Sequence, residues 1–88
     1  PGTIDRPPAT TFARIDEVDK VPAKARETNY RRFLDAKSPR AFAIGPSGQS
    51  GWATGDWAMG RALGFCQRRG EACRLYAVDD EVVWGAGP

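Results

Sequence analysis

Residues 40–55 read RAFAIGPSGQSGWATG, and this stretch decides the fold of the chain. Small and large side chains alternate in residues 40–44 and again in residues 50–55, which is the period-two pattern of a β-strand. Between the two runs, Gly45, Pro46 and Gly48 provide the glycine freedom and the fixed proline φ angle of a tight turn. The stretch therefore predicts a β-hairpin.

A helix is predicted before this hairpin, over about residues 22–37. Proline is tolerated in a first helical turn, and Tyr30, Phe33 and Leu34 recur with the i, i+3, i+4 spacing of one helix face. Pro39 then ends the helix, because the residue before a proline is driven out of the helical region.

A second helix is predicted directly after Gly55, with Asp56 as its N-cap. The side chains expected to face the core share helical spacing and are Met59, Ala62, Leu63 and Cys66. The arginines expected to face outward are Arg61, Arg68 and Arg69. Gly60 and Gly64 lie four residues apart, and we expect them to allow a close approach to the sheet.

A second hairpin is predicted for residues 73–78 and 82–84, with its turn at residues 79–80. The predicted fold class is α+β, with two helices packed on a four-stranded, mainly antiparallel sheet in the order α-β-β-α-β-β. The length fits one small domain, expected to span residues 12–84. Residues 1–11 contain three prolines and are expected to form a disordered or extended leader, and residues 85–88 a frayed tail.

The composition argues against several classes of protein. The chain has 88 residues, a net charge of +2 and no histidine. Without histidine, neither a Ser-His-Asp nor a Cys-His hydrolase can be built, and the commonest metal ligand is missing. We therefore expect no enzyme, no cofactor and no metal site. The small net charge argues against a nucleic-acid partner, and no apolar run approaches the roughly 18 residues of a membrane span.

The two cysteines indicate a cross-link. Cys66 is expected at the end of the second helix and Cys73 at the start of the next strand, with six residues between them. A disulfide closing this loop would stabilise the domain by about 2.5 kcal/mol on the chain-entropy estimate. Two buried free thiols, or a redox or metal pair, are the alternatives, although the spacing is not C-x-x-C. A disulfide would imply an oxidising compartment.

The predicted strands present two unlike faces. The large, aromatic face comprises Phe42, Ile44, Trp52, Tyr76, Val78 and Trp84. The small face comprises Ala41, Ala43, Gly51, Ala53, Leu75, Ala77 and Val83. We expect the two helices to cover one of these faces. If they cover the aromatic face, that face is core; if they cover the small face, the aromatic face becomes a recognition surface for a peptide, a glycan or a second copy.

Several strings in this sequence resemble a small proteobacterial domain of unknown function. They are PRAFAI (39–44), GWATG (51–55), CRLYAVDD (73–80) and VVW (82–84), and the resemblance spans about residues 18–84. Members of that family resemble exported proteins in some cases and C-terminal appendages of longer proteins in others. The resemblance implies export and supports the disulfide, and it implies no catalytic residue or cofactor.

These observations predict a non-enzymatic secreted or periplasmic module that binds a protein or surface partner, as a monomer rather than a dimer. The candidate contacts are Phe42, Trp52, Tyr76, Trp84, Arg31, Arg32 and Arg40. The alternative is a small inhibitor or envelope-maintenance factor that inserts a disulfide-held loop, at residues 45–49 or 70–72, into the cleft of its target. Burial of the aromatic face would argue against binding through the sheet and would leave binding through a loop.

Overall fold

A computed structural model describes residues 5–69 and 72–85, and of residues 28 and 69 the backbone only. Its helices are α1 (Ala23–Ala25), α2 (Arg31–Asp35) and α3 (Ala58–Cys66), and its strands are β1 (Arg40–Ile44), β2 (Ser50–Thr54), β3 (Arg74–Val78) and β4 (Glu81–Val82). A π-helical stretch, Arg26–Tyr30, joins α1 to α2, and 3-10 turns lie at Val18–Lys20 and Gln67–Arg69. The predicted α+β class is confirmed.

The four strands form one antiparallel sheet in the order β2-β1-β3-β4. The first predicted hairpin is β1 with β2, in which Phe42 lies opposite Trp52. The second is β3 with β4, and β4 is shorter than the predicted strand at residues 82–84. The central position of β1 explains why all five of its residues are buried.

Each face of the sheet has its own helical layer, so the expectation that both helices cover one face is wrong. The helical segment at residues 23–35 covers the aromatic face, where the ring centroid of Tyr30 lies 4.9 Å from that of Phe42 and 5.8 Å from that of Tyr76. On the small face, Ala62 and Cys66 of α3 pack against the alanines of β1 and β2. The sheet is therefore the middle of three layers.

A β-bulge changes the face assignment in β3. Phe42 pairs with Ala77, but the next residue, Ala43, pairs with Leu75, so the register shifts by one residue. The shift places Ala77 in the aromatic core and Val78 in the core beneath α3, which is the reverse of the prediction from strict alternation.

α3 approaches the sheet most closely at Gly51 of β2. A Cβ atom at this position would press on the backbone nitrogen of Cys66 and lie 2.5 Å from the carbonyl oxygen of Ala62. At Gly64, by contrast, a Cβ atom would have no heavy atom of the described part of the chain within 4 Å, its own helix backbone aside. Of the two helix glycines predicted to allow the close approach, Gly64 does not provide it, and a glycine on the strand, Gly51, does.

The disulfide between Cys66 and Cys73 is confirmed, with a Cα–Cα distance of 6.2 Å. It joins the C-terminal end of α3 to the residue before β3, so it fastens the helix to the sheet. Cys66 is 3% exposed, and the bridge therefore lies against the core beneath α3.

Residues 5–11 have no regular secondary structure, but they are attached to β4 and its turn. Arg6 forms ion pairs with Asp79 at 2.9 Å and Glu81 at 2.6 Å. The backbone N–H of Thr10 donates to the carbonyl oxygen of Val82 at 2.9 Å. These contacts hold residues 5–11, which form no helix or strand, against the second hairpin. Residues 1–4 of the predicted leader and residues 86–88 of the predicted tail lie outside the described residues.

Candidate functional site

Three of the seven predicted contact residues are buried and cannot touch a partner. Phe42 is 0%, Tyr76 1% and Arg40 6% exposed. The helical segment at residues 23–35 covers the two rings, so the prediction of an accessible aromatic sheet face is wrong for these residues. Trp52 and Trp84 are half-buried and pack against the edge of the same core.

Arg40 is buried because the chain surrounds it with acceptors. Its Nη1 atom donates to the carbonyl oxygens of Phe33, Leu34 and Ala36 at 2.6, 2.8 and 2.9 Å. Its Nε donates to the carbonyl oxygen of Asp79 and its Nη2 to the Asp80 carboxylate. A buried guanidinium satisfied in this way acts as a structural tie between α2, β1 and the second hairpin.

The acidic turn of the second hairpin is occupied by arginine contacts. Asp79 accepts from the backbone N–H of Arg40 at 3.0 Å and from Arg6. Burial acts to raise the pKa of Asp79, but hydrogen bonds from Arg40, Ser38 and Arg6 outweigh it and hold that pKa below its ordinary value. The carboxylate is therefore a structural anion in this turn.

Arg31 and Arg32 are exposed on α2, as predicted, but neither has a large exposed apolar neighbour on that helix. Among the described residues, the large apolar side chains that face solvent are Phe12, Trp57 and Phe65. Two of these three belong to α3 or to the residue that precedes it. The concentration of exposed aromatic surface is therefore on the other side of the sheet from Arg31 and Arg32.

We call the solvent-facing side of α3 and its flanking turns the α3 outer face. Its residues are Trp57, Arg61, Gly64, Phe65 and Arg68. At 3.6 residues per turn, Trp57, Arg61, Gly64 and Arg68 lie away from the buried Ala62 and Cys66. Phe65 lies at the edge of this face, seven residues after the buried Ala58, and its Cβ atom is 2.9 Å from where a Cβ atom on Gly51 would lie. Trp57 is 59% exposed and Phe65 42% exposed.

Trp57 is held in an unusual backbone conformation at the start of α3. Its φ and ψ angles are 64° and 26°, in the left-handed region, where a bulky side chain is rare. Its carbonyl oxygen still accepts the backbone N–H of Arg61 at 2.9 Å. Trp57, with no capping hydrogen bond from its side chain, takes the cap position, so the prediction of Asp56 as N-cap is wrong.

The charge of the α3 outer face is positive. Arg61 Nη1 donates to the carbonyl oxygen of Thr54 at 2.8 Å, and the guanidinium of Arg68 lies 5.3 Å from the ring centroid of Phe65. α3 itself, Ala58–Cys66, contains no acidic residue. Arginine beside exposed aromatic rings is the combination enriched at the energetic centres of protein interfaces. The side chain of Arg69, also predicted to face outward, lies outside the described part of the chain.

A cavity of about 330 Å³ adjoins Trp57 at the N-terminal end of α3. Its walls include Arg6, Pro39, Trp57, Met59, Val78 and Asp79. The volume lies at the lower end of the range for small-ligand pockets. The cavity could therefore receive one large side chain of a partner that covers Trp57.

A second cavity, of about 570 Å³, lies near the first hairpin turn and includes Pro22, Ile44, Pro46, Ala72, Arg74 and Trp84. The ring of Trp84 already has partners within the chain, since the Arg74 guanidinium lies 5.0 Å and the Tyr76 ring 5.9 Å from its centroid. Nearby, residues 45–49 form a short turn closed by a hydrogen bond from Gly45 N–H to the Gln49 carbonyl. This turn has no extended segment for insertion into a cleft.

No metal site emerges within residues 5–69 and 72–85, where no three cysteine or acidic side chains are grouped to hold an ion. In the same described ranges, none of the helices combines the length and apolar character needed to cross a bilayer.

The sequence prediction missed Trp57 and Phe65, although a signal for both was present. Positions 57, 61, 64 and 68 recur at helical spacing away from the buried Ala62 and Cys66, and Phe65 borders this side. One aromatic residue on the polar side of an amphipathic helix and a second at its edge depart from the usual pattern. The prediction instead placed the recognition surface on the sheet, because the alternation of the strands had grouped their aromatic side chains on one face.

No family model, curated protein or solved structure matches the chain. The resemblance to a proteobacterial exported domain therefore stays a prediction, and the functional argument depends on the geometry of the α3 outer face.

Proposed function

We propose that this chain is a non-enzymatic protein-binding module that docks through the α3 outer face. The observation that carries the proposal is the exposure of Trp57, Arg61 and Arg68 on the outer side of α3, with Phe65 exposed at the edge of that side. Burial of large aromatic side chains is the main source of binding free energy at protein interfaces, and tryptophan and arginine contribute most often. Because both rings are exposed to water in the free protein, a partner that buries them gains binding free energy.

The absence of catalysis in this proposal is supported by the chemistry of the polar groups. The chain has no histidine. The carboxylates of Asp79, Asp80 and Glu81 accept hydrogen bonds from arginines rather than facing each other across a cleft. A pair of carboxylates that shared a site without such partners would be the arrangement expected of an acid-base catalyst.

An oxidising compartment, the periplasm or the cell exterior, is the second part of the proposal. The support is the Cys66–Cys73 bridge, since disulfides persist where thiols are not kept reduced. The resemblance to an exported family points in the same direction.

A loop-based inhibitor is the alternative function. It would use residues 45–49 or the disulfide-held residues 70–72. The first of these is a short closed turn, and residues 70 and 71 lie outside the described part of the chain. The exposed aromatic surface favours the α3 outer face over either loop.

Site-specific photocrosslinking tests the proposal. A photoreactive phenylalanine analogue would replace Phe65 at the edge of the α3 outer face, and in a matched control it would replace Phe12, an exposed phenylalanine outside the helix. We expect a discrete protein adduct from position 65 in an envelope extract, absent from position 12 and lost when Trp57→Ala is added. Adducts from position 12 alone, or equal adducts from both positions, would show that the α3 outer face is not the binding surface.

A further inference from the structure

We infer that the partner presents an acidic polypeptide segment whose backbone crosses α3 directly over Gly64. This inference rests on the proposed function and specifies the chemistry of the partner at the same surface. Three observations on the α3 outer face carry it: the space above Gly64, the charges that flank it, and the fixed position of Trp57.

Gly64 makes no packing contact that requires a glycine among the described residues. It lies within α3, is exposed, and a Cβ atom built on it would have no heavy atom of those residues within 4 Å, the backbone of its own helix aside. Glycine is the poorest helix former apart from proline, because its backbone loses the most conformational freedom on folding. An alanine would fit the described structure and favour the helix. A partner backbone that approaches the helix axis at this point supplies a reason for the missing side chain.

Arg61 and Arg68 lie three residues before and four residues after Gly64, so they flank it on the same side of the helix. Because α3 contains no acidic residue, the two guanidinium groups set the sign of the charge near the crossing point. Both already make contacts within the chain, Arg61 with a carbonyl oxygen and Arg68 with a ring, which limit their conformational freedom before binding. Carboxylates on the partner match these donors in charge and geometry.

A second copy of this chain is disfavoured by the same charges. A two-fold contact through the α3 outer face would place arginines of one copy opposite arginines of the other. Such a contact leaves like charges together at the interface, which opposes association. The partner is therefore a different, acidic polypeptide.

Trp57 provides the second contact point for the partner's segment, at the N-terminal end of α3. Its left-handed backbone conformation sets the direction of its Cα–Cβ bond, and Met59 and Val78 are among the residues that line the cavity of about 330 Å³ beside it. We expect an apolar side chain of the partner to enter this cavity and pack on the indole. The recognised segment then places carboxylates near Gly64 and one large apolar residue near Trp57. These two contact points are separated by about one or two turns of α3.

Selection from a displayed library of random 16-residue peptides, against the oxidised domain, tests the inference with a defined probe. We expect the enriched peptides to be acidic and to contain one large apolar residue. Arg61→Glu with Arg68→Glu should reduce their affinity at least a hundredfold. Arg31→Glu with Arg32→Glu, the matched pair on α2, should change it less than threefold.

Gly64→Ala separates a close backbone approach from simple charge attraction. The variant should melt at a higher temperature than the parent, because alanine favours the helix and the new Cβ atom would clash with none of the described residues. It should also bind the selected peptides at least tenfold more weakly. A variant that is more stable and binds equally well would overturn the crossing over Gly64.

The other outcomes distinguish this inference from the proposed function. Enriched peptides that are neutral or basic, but depend on Trp57, would overturn the acidic segment and leave the α3 outer face as the binding surface. Peptides indifferent to every α3 substitution, or no enrichment at all, would count against both. Equal, Arg61-dependent binding to vesicles of phosphatidylglycerol, or self-association in sedimentation, would overturn the polypeptide partner in favour of a membrane or a second copy.

Discussion

The guanidinium of Arg40 lies over the ring of Phe33, 4.7 Å from its centroid, and its Nη1 atom donates to the carbonyl oxygen of the same residue at 2.6 Å. One side chain thus contacts both the ring that fills the aromatic core and the backbone that ends α2. Because α2 is only five residues long, it depends on tertiary contacts for its position. The contact with Arg40 holds it on this face of the sheet.

Replacing Arg40 should therefore unfold the domain rather than alter binding. We expect Arg40→Lys to lower the free energy of unfolding by about 2 kcal/mol or more, because an ammonium cannot reach all the acceptors that the planar guanidinium satisfies. Urea denaturation of the oxidised protein measures the loss. Arg32→Lys, at an exposed position, is the control and should stay within about 0.5 kcal/mol of the parent. Equal stability of the two variants would contradict the structural role of Arg40.

Alanine substitution of Gly51 in β2 and of Gly64 in α3 should change the stability of the domain in opposite directions. We expect Gly51→Ala to cost about 3 kcal/mol, since the new Cβ atom would overlap backbone atoms of Ala62 and Cys66 that cannot rotate away. Gly64→Ala should gain about 0.5–1 kcal/mol from helix propensity alone. Thermal unfolding of the two variants provides the comparison, and a stabilising Gly51→Ala would mean that α3 lies farther from the sheet than described.

Position 57 should prefer glycine over alanine when the tryptophan is removed. Both substitutions delete the indole, but only alanine retains a Cβ atom in the left-handed conformation. We expect Trp57→Gly to be more stable than Trp57→Ala by about 1 kcal/mol, the cost of that conformation for a non-glycine residue. Chemical denaturation distinguishes them. The reverse order would indicate that the backbone relaxes once the indole is gone.

Reduction of the disulfide should weaken the domain measurably. The loop closed by Cys66 and Cys73 is short, and we expect the double variant Cys66→Ala, Cys73→Ala to lose about 2.5 kcal/mol. After addition of a thiol reductant, the free energy of unfolding of the parent should fall by a comparable amount, while that of the double variant stays unchanged. A reductant effect on the double variant would point to a cause other than the bridge.

Both tyrosines of the chain are buried, and this makes stability depend on alkaline pH. Burial raises the pKa of Tyr30 and of Tyr76 above the ordinary value of 10.0. The unfolded chain therefore releases these protons at a lower pH than the folded one. The stability they contribute is complete below about pH 10 and is lost as the pH rises toward the folded-state values. Tyrosinate absorbance should rise together with unfolding.

Two tyrosine variants serve as controls for this pH dependence. The Tyr76 hydroxyl has no hydrogen-bond partner among the described residues, so Tyr76→Phe should be neutral or stabilising and should reduce the alkaline loss. Tyr30 donates to the carbonyl oxygen of Ile15 at 2.6 Å, so Tyr30→Phe should cost about 1 kcal/mol at neutral pH. Tyrosinate absorbance that rises before unfolding would contradict the burial of the rings.

Much of the fold could be predicted because its signals are local. The alternation of residues 40–44 and 50–54, with a turn between them, determines a hairpin without reference to the rest of the chain. The disulfide followed from a helix end and a strand start that lie close in sequence. Neither prediction required knowledge of which layer covers which face.

The parts that could not be predicted depend on contacts distant in sequence. The β-bulge that turns Ala77 and Val78 to the other faces arises from how β3 pairs with β1, more than 30 residues earlier. Arg40 has the charge of a surface residue, and only the convergence of α2 and the second hairpin makes it core. Phe42 and Tyr76, two of the predicted contacts, belong to the core for the same reason, because period two shows which side chains share a face but not which face is covered.

The contact between Gly51 and α3 also limits how this sequence can diverge. Any descendant that keeps the same spacing between helix and sheet must keep glycine at position 51 and a small residue at position 62, whatever happens at the surface. Gly64 on the α3 outer face is under no such restriction among the described residues, since a Cβ atom there would have no heavy atom within 4 Å, its own helix backbone aside. Distant relatives could thus be recognised by this pair of positions, together with the two cysteines, after the remaining sequence had changed beyond overall similarity.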